Sequence, residues 1–286
     1  MPHYDVNGKV VLITGGARGI GFGLATALAA RGARVALVDL DADVVGESAE
    51  RFGAGQAIGL AADVSSAAAI ERAVAAAVEH FGGVDVVVAN AGIAPTPAPV
   101  RLMPTEEFER VVEVDLLGVY RTVRAGMEQI IARRGQAVLV SSVLAFINGM
   151  LVSPYAAAKA GVEQLGRALR AELSVHGASA TVAYFGFVDT QMVQEAFDAR
   201  RAGREEELFP AFVLKRISPL RAGEAVARAI ERRQPRVIAP RYWAVLSTLR
   251  GLLNPAFDYG AARSARVQEV LREADSPSPP GSLRSS

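Results

Sequence analysis

The sequence predicts an α/β fold built on a doubly wound central parallel sheet with helices on both faces. Two observations carry this reading. Short β-branched runs alternate with longer alanine-rich segments of helical period, the pattern of parallel strands joined by crossover helices. The first run, Val10-Val11-Leu12-Ile13, leads into Thr14-Gly15-Gly16-Ala17-Arg18-Gly19-Ile20-Gly21 and then a helical stretch. A strand, a glycine loop and a helix in that order bring backbone N–H groups around a phosphate. With 286 residues and no mid-chain linker, one domain over residues 1–274 is expected rather than two.

Strands are predicted at 10–13, 35–38, 84–88, 137–140 and 180–183, with weaker ones at 57–61 and 237–238. Helices are predicted over 21–30, 67–80, 105–133 and 155–176, and Gly32, Gly82, Gly135 and Gly177 stand where those helices should stop. After Thr190 the pattern loosens into an arginine-containing stretch with scattered Met192, Phe197, Leu208, Phe209 and Phe212, ending near Ser218-Pro219. Residues 191–220 are therefore expected to cover the site. Beyond them, Trp243, Leu246, Leu249, Leu252 and Leu253 are read as one apolar stripe on a helical extension over 241–274. The Ser/Pro-rich residues 275–286 are expected to be disordered.

Composition excludes several classes of function. Formal net charge is +1 with 21% charged residues, so nothing calls for nucleic acid. Cysteine is absent, which removes disulfides, thiolate catalysis and cysteine metal sites, and suits a cytoplasmic setting. The first nine residues hold no apolar signal core, and no stretch near twenty residues is apolar enough to span a bilayer. His3, His80 and His176 are widely spaced, so no metal site is expected. The arginines between 200 and 241 are read as solvated faces.

The chemistry concentrates at Tyr155-Ala156-Ala157-Ala158-Lys159, with Ser142 thirteen residues before the tyrosine. Four positions apart on a helix, phenol and ammonium share a face, and the cation favours the phenolate. An unperturbed tyrosine near pKa 10 is a poor base at neutral pH, so such a shift is needed. Tyr155 offers a proton; the glycine loop would hold a nicotinamide dinucleotide, which offers a hydride. Asp39 closes the second strand twenty residues beyond Gly19, where a carboxylate accepts from ribose hydroxyls and repels a 2′-phosphate. NAD is therefore favoured over NADP.

Taken in order, these motifs resemble the short-chain dehydrogenase/reductase family over roughly residues 7–240. The resemblance implies a Rossmann-type fold and an oxidoreductase that interconverts a secondary alcohol and a ketone, with Tyr155 as acid/base, Lys159 on the nicotinamide ribose and Ser142, rather than Ser141, orienting the oxygen. It implies cofactor contacts at Gly15, Arg18, Gly19, Ile20 and Gly21, at Asp63 and Val64 beside the adenine, and at Asn90, Ala91 and Gly92. Gly186, Val188 and Thr190 would meet the nicotinamide carboxamide. Arg18 keeps an NADPH-dependent carbonyl reductase as an alternative, because arginine here contacts the 2′-phosphate in some relatives. A homodimer or homotetramer through 105–133 and 155–176 is also implied.

Two departures stand out. Where the family has asparagine in a water relay behind the lysine, this chain has Asp115, whose charge strengthens that on Lys159 and opposes ionisation of Tyr155. Where Pro-Gly is usual, Phe185-Gly186 loses a fixed φ and adds a ring near the nicotinamide side. These departures leave a non-catalytic dinucleotide-sensing regulator as a further alternative. The apolar stripe and cover segment suggest a lipophilic alcohol or ketone as substrate.

Overall fold

Alternation of side chains along β1 (Val10–Thr14) dictates the layering of the whole molecule. Val11 and Ile13 face one apolar layer, Val10 and Leu12 the other, as the two-residue period of a strand buried on both faces requires. The computed structural model describes residues 3–195 and 215–275. Six further strands join β1: β2 (Arg34–Asp39), β3 (Ala57–Ala61), β4 (Val86–Ala89), β5 (Gln136–Ser142), β6 (Ser179–Phe185) and β7 (Arg236–Ala239). All pairings are parallel, in the order β3-β2-β1-β4-β5-β6-β7. This is the doubly wound Rossmann-type sheet that the alternation predicts.

One face is covered by α1 (Gly19–Ala29) and α2 (Ala42–Glu50). The other carries α3 (Ala67–Phe81), α4 (Thr105–Val112), α5 (Gly118–Ala125), α6 (Met127–Ala132) and α7 (Ser153–Ser174). Helix α8 (Pro219–Glu231) packs on α1, and α9 (Trp243–Arg263) and α10 (Ala265–Asp275) follow β7. Among the described residues no helix is long and apolar enough to cross a membrane.

Several sequence expectations need correction. The single helix over 105–133 is instead α4, a π-helical turn at Glu113–Leu117, α5 and α6. The break falls at Gly126, where a Cβ would lie 2.5 Å from Val87 Cγ2. The stop at Gly135 is made by Arg134, which takes the positive φ. Two helices were not foreseen: α2, capped by Asp41 accepting from Asp43 and Val44 N–H, and α8, capped by Ser218 with Pro219 in its first turn.

The stripe on α9 is also wrong. Trp243 is 2% exposed, but Leu249 is 43% and Leu252 78% exposed. Spacing of three residues falls short of a 3.6-residue turn by roughly 60° each step, so the series winds to the opposite face. The proposed cover lies largely outside the described residues, as do Phe197, Leu208, Phe209, Phe212 and the tail beyond 275.

Candidate active site

Strand order reverses between β1 and β4, so the connections leaving these neighbours diverge and open a cleft at the carboxyl ends of the strands. The glycine loop forms its floor. Gly15 and Gly19 take φ of +62° and +56°, and a Cβ on Gly21 would sit 2.1 Å from the carbonyl oxygen of Gly15. Gly21 thus lies directly under the loop and supports it. Helix α1 begins without a side-chain cap and without an acidic residue in its first turn. Its leading N–H groups are left for an anionic ligand such as a pyrophosphate.

Gly15, Arg18, Gly19 and Ile20 line this cleft, with Asp39 at the end of β2. Asp39 Oδ2 accepts from Ala17 N–H at 3.0 Å and Oδ1 from Leu40 N–H at 2.9 Å. Each oxygen retains acceptor capacity for a hydroxyl. Arg18 reaches across to Gln191 Oε1 at 3.1 Å. Asp63, exposed on the rim, accepts from Ser65 N–H at 2.8 Å, and Val64 lines the cleft beside it. Asn90 Nδ2 donates to the carbonyls of Thr14 at 2.9 Å and Gly15 at 3.1 Å, fastening the loop after β4 to the glycine loop. Ala91, Gly92, Gly186, Val188 and Thr190 complete the lining, and the Thr190 hydroxyl accepts from Val193 N–H at 3.3 Å. These groups fit an extended dinucleotide.

Deeper in the cleft, α7 presents Lys159, 3% exposed, with Nζ 3.1 Å from Asp115 Oδ2 and donating to Val140 O at 3.3 Å. Asp115 has no exposed surface, and its Oδ1 accepts from Ile93 N–H at 2.7 Å. The carboxylate thus bonds the lysine directly, from the π-helical turn that inserts it between α4 and α5. Burial opposes the charge on Lys159, yet Asp115 and the Tyr155 phenolate hold its pKa above the ordinary lysine value. Burial likewise raises the Asp115 carboxyl, against the pull of Lys159 and the Ile93 N–H. Lys159 Nζ stands 5.3 Å from the centre of the Tyr155 ring.

Ser141 and Ser142 part ways at the end of β5. Ser141 Oγ donates to the Lys159 backbone carbonyl at 2.8 Å, whereas Ser142 Oγ lies at the cleft, with a 3.4 Å bond to Phe185 O and accepting from Leu144 N–H at 3.2 Å. Ser142 and Tyr155 also border a second, apolar crevice that opens from the cleft, walled by Leu144, Ile147, Leu151, Phe187 and Trp243. Tyrosine, lysine and serine therefore meet where a dinucleotide cleft joins a small apolar space. Such a junction can hold a carbonyl or carbinol carbon beside a bound cofactor.

The profile of the short chain dehydrogenase family matches residues 9–201. The chain belongs to this family. This short chain dehydrogenase is an oxidoreductase that uses a nicotinamide dinucleotide on a small-molecule substrate. It is similar to the 3-oxoacyl-[acyl-carrier-protein] reductase FabG of Escherichia coli, 34% identical over 200 residues that cover 70% of this chain and 81% of the relative. It is also similar to the probable oxidoreductase EphD of Mycobacterium tuberculosis, at 31% identity over 259 residues covering 85% of this chain and 43% of EphD. Among solved structures, the 3-ketoacyl-(acyl-carrier-protein) reductase of Brucella melitensis complexed with NADH superimposes with a TM-score of 0.71 at 28% identity, covering 82% of this chain and 97% of that one.

Sequence reasoning on this short chain dehydrogenase missed the apolar crevice itself. Residues 143–152 supply much of its wall, and their only sequence signal was an apolar run between the serine and the tyrosine. It also missed Asn90 as the clasp on the glycine loop, whereas the effect of Asp115 on Lys159 was expected and takes the form of a 3.1 Å ion pair. Phe185 is buried in the core beside β7 as well as lining the cleft, so its ring is partly a packing residue.

Proposed function

We propose that the protein interconverts a secondary alcohol and a ketone, with NAD as its dinucleotide and a neutral, lipophilic substrate. The observation that carries this is the placement of the Tyr155 and Ser142 side chains at the junction of the dinucleotide cleft and an apolar crevice, with Lys159 behind them. Gly15, Gly19 and Ile20 would hold the pyrophosphate, Asp39 the adenosine ribose, Asp63 and Val64 the adenine, and Gly186, Val188 and Thr190 the nicotinamide. A nicotinamide held by these residues would supply or accept the hydride at the substrate carbon. Tyr155 exchanges the proton at the substrate oxygen, and Ser142 donates a hydrogen bond that orients that oxygen. Lys159 keeps the phenolate accessible by its positive charge, and Asp115 fixes the ammonium in place.

The lipophilic reading rests on the crevice lining, which among the described residues carries no charged side chain and is polar only at Ser142, Asn148, Tyr155 and the Trp243 indole nitrogen. NAD rests on Asp39, whose charge disfavours a 2′-phosphate. Arg18, on the same rim, favours the second reading, an NADPH-dependent carbonyl reductase. The dinucleotide-sensing regulator needs no proton donor, so the assembled Ser142, Tyr155 and Lys159 count against it. A cytoplasmic setting accords with the absence of cysteine. Exposed Leu117 and Tyr120 near the start of α5 would supply a homodimer or homotetramer contact.

The test is a screen of secondary alcohols with NAD and with NADP, following absorbance of the reduced nicotinamide. Turnover of 2-octanol and cyclohexanol with NAD, well above that of glycerol or sorbitol, is the expected result. Equal rates on polar polyols, or rates with NADP alone, would overturn the corresponding part of the reading.

A further inference from the structure

The wall of the apolar crevice farthest along the chain comes from outside the stretch that matches the family, which ends at residue 201. It is Trp243, the first residue of α9 and the sole tryptophan of the chain. Its indole stands directly on backbone: a Cβ at Gly186 would fall 2.5 Å from Trp243 Nε1. No other residue type at 186 leaves the ring in this place. Phe146, Val143 and Tyr184 pack around it, so the ring is wedged between the end of β6 and the loop that precedes α7.

Further contacts hold α9 against the same crevice. Arg250 grips Glu163 with both guanidinium nitrogens, at 2.8 and 2.6 Å, and Glu163 is a buried residue of α7 one turn beyond Lys159. Asn254 Nδ2 donates to Phe146 O at 2.9 Å, and Asn148 Nδ2 to Asp258 Oδ1 at 2.9 Å. A helix anchored at both the proton-bearing helix and the crevice loop keeps its leading ring from yielding to a bulkier ligand.

We propose that Trp243 is the specificity-determining residue of this enzyme, the ring that limits the length of the substrate's non-reacting hydrocarbon arm. The proposal deepens the assigned function and rests on the crevice being the substrate site. The arm is uncharged and apolar, because the described side chains it meets beyond Tyr155 and Ser142 are hydrocarbon apart from Asn148 and the Trp243 indole nitrogen. Shortening the ring lengthens the space, leaves the glycine loop and Asp39 untouched, and removes packing from Gly186 at the nicotinamide end of the cleft.

The experiment compares wild type, Trp243→Phe and Trp243→Ala on 2-alkanols from 2-butanol to 2-dodecanol, with kcat/KM and dinucleotide Kd read for each. The longest alcohols should gain about tenfold or more in Trp243→Ala relative to the shortest, the scale that one methylene commands in an apolar pocket. Trp243→Phe should fall between, and any change in dinucleotide Kd from lost packing on Gly186 should scale all alcohols alike and leave the chain-length trend in place. An unchanged chain-length profile in folded variants overturns the proposal. A second readout needs no variant: tryptophan emission of the wild type, titrated with 2-decanone, reports on this ring alone. A saturable change supports the placement even if no alcohol turns over, in which case the assigned reaction fails and the crevice stands. No change at saturating ketone overturns the proposal whatever the rates.

Discussion

Replacing Asp115 by asparagine removes one negative charge from behind Lys159 while an amide oxygen can still accept from Ile93 N–H, the 2.7 Å bond of the present carboxylate. Asp115 Oδ2 lies 3.1 Å from Lys159 Nζ, which lies 5.3 Å from the Tyr155 ring centre. The carboxylate is therefore no farther than about 8 Å from the ring, and two unit charges at about 8 Å with an effective dielectric near 20 interact by roughly 2 kcal/mol. That energy equals roughly 1.5 pH units. Weaker retention of the proton on Lys159 takes back part of it, because burial then acts on the lysine with less opposition. The expected net effect is that the acid limb of kcat for alcohol oxidation moves about one unit toward lower pH in Asp115→Asn. The assay is a pH profile at saturating NAD and alcohol. A limb that stays put, or moves to higher pH, refutes the idea that this carboxylate opposes the phenolate.

Other substitutions test neighbouring steps. Gly21→Ala drives a methyl group to 2.1 Å from Gly15 O; a stability loss of about 3 kcal/mol in urea unfolding is expected, with weakened dinucleotide binding by titration. Asp39→Ala should weaken NAD binding roughly 10- to 100-fold, the worth of a hydrogen bond to a charged acceptor, and narrow the gap to NADP, as read by fluorescence titration of both reduced cofactors. Burial, with Asp85 adding, pushes Tyr4 up to about 12, and burial, with Glu163 adding, does the same for Tyr184. Both pKa values are raised on folding, so this stability is complete below the unfolded value near 10 and is lost as pH climbs through about 12. Thermal melts between those limits should fall less steeply in Tyr4→Phe, which removes a buried hydroxyl that has no partner among the described residues.

Local chemistry was the most legible part of the chain. Val10 to Gly21 carries its own strand, turn and helix instructions, since glycine's freedom and the two-residue period act over a few positions. The spacing of Ser142, Tyr155 and Lys159 survived for the same reason: two of them share one helix face. What stayed hidden depends on partners distant in sequence. Asp115 could be placed behind Lys159 only through the resemblance, because the pairing is made by α7, more than forty residues on. Trp243 reads as part of an apolar stripe until Gly186, which lacks a Cβ, is seen beneath it. The boundary between α5 and α6 falls at Gly126, where a Cβ would meet Val87 on a strand, a contact no local pattern announces.

The account stands on the phenol of Tyr155 as the proton-transferring group beside a bound nicotinamide, and Tyr155→Phe tests it most directly. Turnover of the best alcohol should drop about a thousandfold while dinucleotide Kd stays within about twofold of wild type, since only the proton path is cut. A Tyr155→Phe enzyme that keeps wild-type turnover at any pH would contradict it.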